Sequence, residues 1–360
     1  MSPNKNSDPT GRLEAGATRL PSGSRRRFLQ LSAGIGLGAL LHSRSRAADE
    51  SASNHGILMR HERRGRALGT EVSLLVLHED SEIARRALTA GMDEIERVES
   101  LLSIYRPESE ISRLNRDGAL ESPNPTFVEI LNISQEYSRR SGGAFDITVQ
   151  PLWDLYARSI WKEKRIPSAQ EIENARALVG YQNLEVSPLR LKLKRPGMGI
   201  TLNGIAQGYA TDRALAVLGA HGIRHALVDA GEIGAVGHKE VNGPWVAGIQ
   251  HPRHADEVLA ALNLDGHCVA TSGDYATSFT PDRIYHHIFD PHSGLSPKEF
   301  SSVSVFCRRC VDADALTKVV FVSGLEAGRK FIQDTPDCEA LFVLKDGTVL
   351  TTAEPSKFRR

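Results

Sequence analysis

Apolar positions along this chain follow two periods, and the period changes from one segment to the next. Glu71 to Leu77 is rich in Val and Leu and reads as a strand. Ser81 can cap a helix that runs to about Ser103, because Ile83, Leu88, Ile95, Val98 and Leu102 fall near helical spacing. Phe127, Ile130, Leu131, Ser134 and Tyr137 trace a second helix, stopped by Gly142-Gly143. Ser168-Ala169-Gln170-Glu171 is a capping box that opens a third. Arg190 to Lys194 alternates polar and apolar, as an exposed strand does. Ile205 to Ala220 reads as a helix rich in small residues, entered from a strand that runs through Gly204. Further strands are expected at 225–228, 268–271, 285–289, 303–306 and 340–344, and helices at 312–324 and 325–333. The order is irregular rather than a strict β-α-β alternation, which favours an α+β fold.

The N-terminal segment stands outside this pattern. Residues 1–24 are polar and rich in Ser, Pro, Gly and Asn. Ser24-Arg25-Arg26-Arg27-Phe28-Leu29 then matches the twin-arginine pattern of bacterial exported proteins, and a mild apolar run follows to Leu41. Ser45-Arg46-Ala47 ends in the small residues that a signal peptidase accepts, which places cleavage near Ala47 or Ala48. The run is too short and glycine-rich for a membrane span, which needs ~20 apolar residues. The expected organisation is a leader at 1–47, a flexible linker at 48–64, one catalytic unit at 65–352 and a tail at 353–360. The mature protein is expected in the periplasm, an oxidising compartment.

Composition narrows the function by exclusion. Of 360 residues, 44 are Lys or Arg and 44 Asp or Glu, so the chain lacks the basic footprint of a nucleic-acid binder. Four cysteines, Cys268, Cys307, Cys310 and Cys338, include a Cys307-Arg308-Arg309-Cys310 spacing. That spacing ends an apolar strand instead of opening a helix, so structural cysteines or one disulfide are expected rather than redox catalysis.

Chemistry-bearing residues gather in four loops. Gly142 to Thr148 combines glycines with Asp146 and Thr148, which can hydrogen-bond a ring or sugar, although taken alone a helix stop and turn is the better account of the stretch. Leu202 to Asp212 places Ala206, Gln207 and Gly208 in a first helical turn, whose free amides favour phosphate. Ala270 to Tyr275 and Tyr285 to Gly294 hold Asp274, His286, His287, Asp290 and His292. A metal hydrolase built on these histidines is disfavoured, because adjacent strand residues face opposite ways. One histidine directed into a cleft as acid, base or phosphate partner is a more natural use than a metal pair, although the residues by themselves favour two ordinary half-buried histidines. Asp312 to Lys318 offers hard oxygen ligands of the kind magnesium takes beside phosphates, or simply helix caps.

In order and wording, these stretches resemble the ApbE family, the FAD:protein FMN transferases, from about Gly65 to about Leu350. The resemblance is carried by Leu68-Gly69-Thr70, by Leu102 to Pro107 with Leu114-Asn115, and by Gly143 to Thr148. It continues through Gly204 to Ala210 with Asp212, Ser272 to Tyr275, His287 to Pro291, and Ala313 to Leu316. It implies a single two-lobed α+β domain with a flavin cleft between the lobes. Leu68, Tyr105, Ala144, Phe145, Asp146 and Thr148 would line the flavin and its ribityl chain. Gln207 would lie near phosphate, and Asp274 near the adenylate or pyrophosphate. The Ala206 carbonyl and Asp314 would hold Mg2+, and His287 would be catalytic. Three positions depart from the family pattern: Leu68 replaces Met, Gln207 replaces Lys, and Lys318 stands where a metal-binding Thr is expected. Thr317 or Asp312 would then complete the metal shell, and Lys318 would take over phosphate neutralisation from position 207.

The resemblance implies Mg2+-dependent transfer of FMN from FAD to a Thr or Ser of a target flavoprotein through a phosphodiester, with release of AMP. The usual recipients would be flavoproteins of exported electron-transfer complexes, with transient or peripheral membrane association. Hydrolysis of FAD to FMN and AMP differs only in the acceptor, and a flavin carrier without chemistry is the alternative that the departures at Gln207 and Lys318 raise.

Overall fold

The structure is a computed structural model that describes residues 58–239, 243–264, 266–352 and 358–359. The expected leader and most of the expected linker lie outside the described residues. The linker expectation fails at its C-terminal end, because β1 (Met59–Ala67) begins there and pairs antiparallel with β2 (Thr70–His78) along its whole length. In the expected tail, Phe358–Arg359 pairs with residues 261–262.

The chain then runs through α1 (Ser81–Leu102), α2 (Glu110–Asp117), β3 (Ala119–Glu121), α3 (Pro125–Arg140), α4 (Gln150–Tyr156) and α5 (Ala169–Arg176). Next come β4 (Leu184–Val186), β5 (Arg190–Leu193), α6 (Ala206–Ala220), β6 (His225–Asp229), β7 (Ile233–Val236), β8 (Val246–Gln250), β9 (Val258–Asn263) and β10 (Cys268–Gly273). The last elements are β11 (Phe300–Cys307), α7 (Cys310–Ser323), α8 (Leu325–Gln333), β12 (Glu339–Leu344), β13 (Val349–Thr351) and β14 (Phe358–Arg359). Asp80, not Ser81, caps α1: its Oδ1 accepts from the amides of Glu82 (2.7 Å) and Ile83 (3.1 Å). The capping box at Ser168 forms as the sequence predicts.

Eight strands make one antiparallel sheet in the order β1-β2-β6-β7-β10-β11-β12-β13. Strand alternation explains how it is covered. On β2, Val72, Leu74 and Val76 point into a core shared with α1 and α6, while Leu75 and Leu77 point the other way, into a core with the three-stranded sheet β14-β9-β8. Covered on both faces, β11 is buried at all eight positions. The largest core joins α2, α3, α6 and α7 to the sheet centre. A separate aromatic cluster gathers Trp153, Tyr156, Trp161, Phe279, Tyr285 and Phe289.

Two expected strands are absent. Residues 285–289 form no strand beyond an isolated bridge between Ser278 and His286, because the aromatic cluster, rather than a sheet, buries Tyr285 and Phe289. Residues 201–204 enter α6 through a turn, with the amide of Ala206 bonded to the Leu202 carbonyl (2.8 Å). A disulfide links Cys307 at the end of β11 to Cys338 before β12, and Cys268 and Cys310 stay free and buried. No helix among the described residues is long and apolar enough to cross a membrane.

Candidate active site

The start of α6 and the second turn of α7 meet more closely than side chains normally allow. At Gly208 an added Cβ would lie 2.4 Å from the Cys310 carbonyl oxygen and 2.7 Å from the Asp314 Cβ, so only glycine fits. The contact lets the Gly208 amide donate to Asp314 Oδ2 (3.0 Å). Asp314 is 1% exposed, and its other oxygen, Oδ1, pairs with the Lys318 ammonium one helical turn on. The Lys318 stem lies under Gly204, where a Cβ would come within 3.3 Å of Lys318 Cε. Beside Gly204, Asn203 lies near the hydroxyl of Tyr105, a residue 46% exposed at the rim.

A second acid completes this corner. Glu232, in the turn from β6 to β7, is buried and accepts from the Thr271 amide (3.0 Å). Burial, and then the nearby Asp314 charge, push its carboxyl well above the usual carboxylate range, while Lys318 opposes the shift. Asp229 in the same turn is pushed up to about 6 by burial. The Gln207 side-chain amide packs against Gly231 between these acids.

Across the end of β10 lie the histidines. His287 Nδ1 is 3.1 Å from the Thr277 carbonyl, which also accepts the His287 amide (3.0 Å). A carbonyl only accepts, so Nδ1 carries the proton and Nε2 is left as the acceptor. Burial pulls the pKa of His287 down to about 3, helped by His286 and Lys318, so the ring is neutral at physiological pH. His286 turns away: its Nε2 is bonded to the Pro297 carbonyl (2.9 Å), its ring packs edge-on against Phe321, and burial lowers it to about 4. The two rings take different partners while their centroids stay 6.4 Å apart, and they do so without the strand alternation that the sequence suggested.

Asp274 is fully buried just past β10. Both its oxygens accept from Arg253 at 2.7 Å, and Oδ2 also takes the Lys345 ammonium. Arg253 donates further to Ser301 Oγ (2.7 Å).

This arrangement of neutral histidine, cation-paired aspartate and short turns can be set beside known proteins. The ApbE family model matches residues 68–342. The chain belongs to the ApbE family. A protein named FAD:protein FMN transferase from Vibrio cholerae serotype O1 is 30% identical over 275 residues, covering 73% of this chain and 81% of that protein. One of the same name from Klebsiella pneumoniae is 28% identical over 300 residues, covering 81% and 91%. The crystal structure of the ApbE protein of Thermotoga maritima superposes with a TM-score of 0.74 at 31% identity, covering 81% of this chain and 96% of that one. The fold is therefore that of ApbE proteins, a single domain of mixed helix and sheet.

Against this ApbE frame the predicted site residues divide. His287, Asp314, Lys318, Gln207, Tyr105 and the start of α6 at Ala206 gather around one corner. Leu68 sits at positive φ in the β1–β2 turn, packed between two cores. Ala144 and Phe145 are buried, and Phe145 packs edge-on against Tyr137. Asp146 and Thr148 do not present free polar groups: Asp146 accepts from the Thr148 amide and hydroxyl and from the Tyr181 amide (2.8 Å), and Thr148 Oγ1 accepts from the Gly180 amide (2.7 Å). They brace the 180–181 loop. Asp274 is likewise committed to Arg253 and Lys345.

Of the two candidates to complete a metal shell, Thr317 is buried, with its hydroxyl bonded to the Asp314 carbonyl and to Ser272 Oγ (both 2.7 Å). Asp312 faces Arg309 and lines a separate cavity of about 520 Å3 beside the disulfide. Among the described residues, the one group of three close potential metal ligands is Asp212, Cys268 and Cys310. There Asp212 accepts from the amides of Cys310 (2.8 Å) and Val311 (2.9 Å), and burial holds the Cys310 thiol well above its ordinary value. His292 lies apart, over the Gly142 carbonyl (3.2 Å).

Asp314 does fit a hard cation. Its Oδ1 already holds a positive group, and the Gly208 contact brings the first turn of α6 to the same corner. Sequence reasoning missed Glu232, Thr277, Arg253 and Lys345. Of these only Glu232 carried a local signal, in the Asp229-Ala230-Gly231-Glu232 turn between two strands.

Proposed function

We propose that this protein transfers FMN from FAD to a Thr or Ser hydroxyl of a target flavoprotein, forming a phosphodiester and releasing AMP. The observation that carries the reading is His287: a neutral ring, its proton fixed on Nδ1 by the Thr277 carbonyl, with Nε2 left to accept a proton. The names of the relatives support the coarser part of this reading, transfer of FMN from FAD to a protein.

The acceptor hydroxyl oxygen bonds to the FMN-side phosphorus, and the bond from that phosphorus to the bridging oxygen breaks. AMP leaves with that oxygen, and the hydroxyl proton passes to His287 Nε2. Such transfer needs positioning and charge neutralisation more than covalent help. Asp314 and the Ala206 carbonyl are the donors that would hold Mg2+, which would supply neutralising charge for the pyrophosphate oxygens. Lys318 adds a second positive group at that corner. Tyr105 and Asn203 form the rim on the flavin side.

The reaction takes place in the periplasm after twin-arginine export, on an exported electron-transfer flavoprotein. The twin-arginine pattern at Ser24 to Leu29 and the Cys307–Cys338 disulfide support that compartment.

The test is intact-mass spectrometry of a candidate exported flavoprotein domain after incubation with the mature protein, FAD and Mg2+. The expected gain is FMN less one water, abolished by EDTA. His287→Ala is expected to keep FAD affinity and lose roughly 100- to 10,000-fold in transfer rate. A fully active His287→Ala would remove the base from the mechanism. Release of FMN and AMP without modification of any acceptor would make the protein a pyrophosphatase, and bound FAD without turnover would make it a carrier.

A further inference from the structure

The cation corner already contains a cation of its own. Asp314 has two oxygens, and both are partnered: Oδ2 by the Gly208 amide and Oδ1 by the Lys318 ammonium. Lys318 reaches Asp314 because the two stand one turn apart on α7, with the carboxylate N-terminal, the favourable order for such a pair. Its stem is confined under Gly204, and Glu232 lies close enough to feel both charges. Two positive centres cannot share Oδ1 in this buried place without strong repulsion.

We propose that Lys318 is an exchangeable internal cation. It holds Asp314 Oδ1 when the site is empty, excludes a divalent ion from it, and moves to the nucleotide pyrophosphate when FAD and the divalent ion enter together. The inference rests on the cation-assisted reading above and deepens it. A flexible four-carbon stem with a point charge suits such a role, whereas a rigid guanidinium fork does not. Gln207 cannot compete for it, because its neutral amide is packed on Gly231. The consequence is ordered assembly: the free protein binds divalent ions weakly, and phosphate makes the ion site by drawing Lys318 away.

The experiment uses the full mature chain and Mn2+ as the probe, with binding read by the loss of the free-ion EPR signal, without and with FAD. For the wild type, FAD is expected to tighten Mn2+ binding by roughly tenfold or more, since a coupling of this kind is typically 5- to 150-fold. Lys318→Met keeps the stem and removes the charge. It is expected to bind Mn2+ tightly without FAD and to lose most of the coupling. It should also bind FAD more weakly while binding riboflavin, which has no phosphate, as the wild type does. Lys318→Gln provides a second neutral variant should Lys318→Met fail to fold, and Asp314→Asn should abolish Mn2+ binding in every background. Equal Mn2+ affinities for wild type and the neutral Lys318 variants without FAD would overturn the proposal. So would a wild type whose Mn2+ affinity is indifferent to FAD. If the Mn2+ results hold and no FMN reaches an acceptor, the transferase reading falls and this inference stands.

Discussion

Two buried aspartates lie near β10, Asp274 just past its end and Asp314 on the helix α7 packed against it, and both are paired with positive side chains, yet they are built differently. Asp274 is held by Arg253, 21 residues away, and by Lys345, 71 residues away, with Ser301 fixing the guanidinium. These partners come from the segment between β8 and β9 and from the β12–β13 turn, so releasing the carboxylate means parting several elements at once. Asp314 is held by a lysine four residues on in its own helix. Releasing that pair needs only side-chain rotation. The first pair is a clamp and the second a latch, although both motifs are an aspartate beside small residues in the sequence.

The comparison can be broken most directly at the clamp. Arg253→Met leaves Asp274 buried with Lys345 alone and is expected to destabilise the fold by about 3 kcal/mol or more, measured by urea denaturation. A change under about 1 kcal/mol would show that the clamp is not structural. At the latch, Asp314→Asn is expected to have the opposite profile: stability nearly unchanged, and transfer lowered roughly 100- to 1,000-fold, the usual effect of removing one preorganised charge-stabilising group. Equal losses of stability in the two variants would erase the distinction.

Between the two aspartates, His286 and His287 are held neutral, with folded pKa values of about 4 and about 3 against 6.5 when unfolded. The unfolded chain therefore binds more protons between those values, so the contribution of each ring to stability is full above about pH 6.5 and is lost as pH falls below it. At pH 5 the loss is about 2 kcal/mol per ring. A pH series of denaturant midpoints should fall less steeply for His287→Gln than for the wild type, and ring NMR signals of His287 should not titrate between pH 5 and 8. The smallest effect is expected from Ser272→Ala, which removes the hydroxyl partner of Thr317 at a cost of about 1 kcal/mol in thermal stability. If it also removed Mn2+ binding, Thr317 would return as a cation ligand.

Elements with one buried face were legible, because burial on one side writes a period into the chain. The helix α1 and the strand β2 emerged nearly to the residue. The strand β1, Met-Arg-His-Glu-Arg-Arg-Gly-Arg-Ala, was not legible, since all but its last residue are exposed or half-buried and no apolar alternation marks it. Residues 285–289 carried a strand-like pattern that an aromatic cluster satisfied instead. The same limit applied at the site. Asp146, Thr148 and Asp274 were found as polar residues among glycines, but whether such a group faces a ligand or a distant backbone amide is a property of packing. The tie from Asp146 to the Tyr181 amide spans 35 residues, and nothing local announces it.

By itself, then, the order of short motifs determined the family and singled out His287 and the acidic turn of α7 as candidates, because those depend on residue types at close spacing. Tertiary structure alone decided the protonation state of His287, the commitment of Asp274 to Arg253 and Lys345, and the meeting of Asp314 with Gly208 across two helices. These depend on burial and on charges brought together from far along the chain, and a linear sequence carries neither.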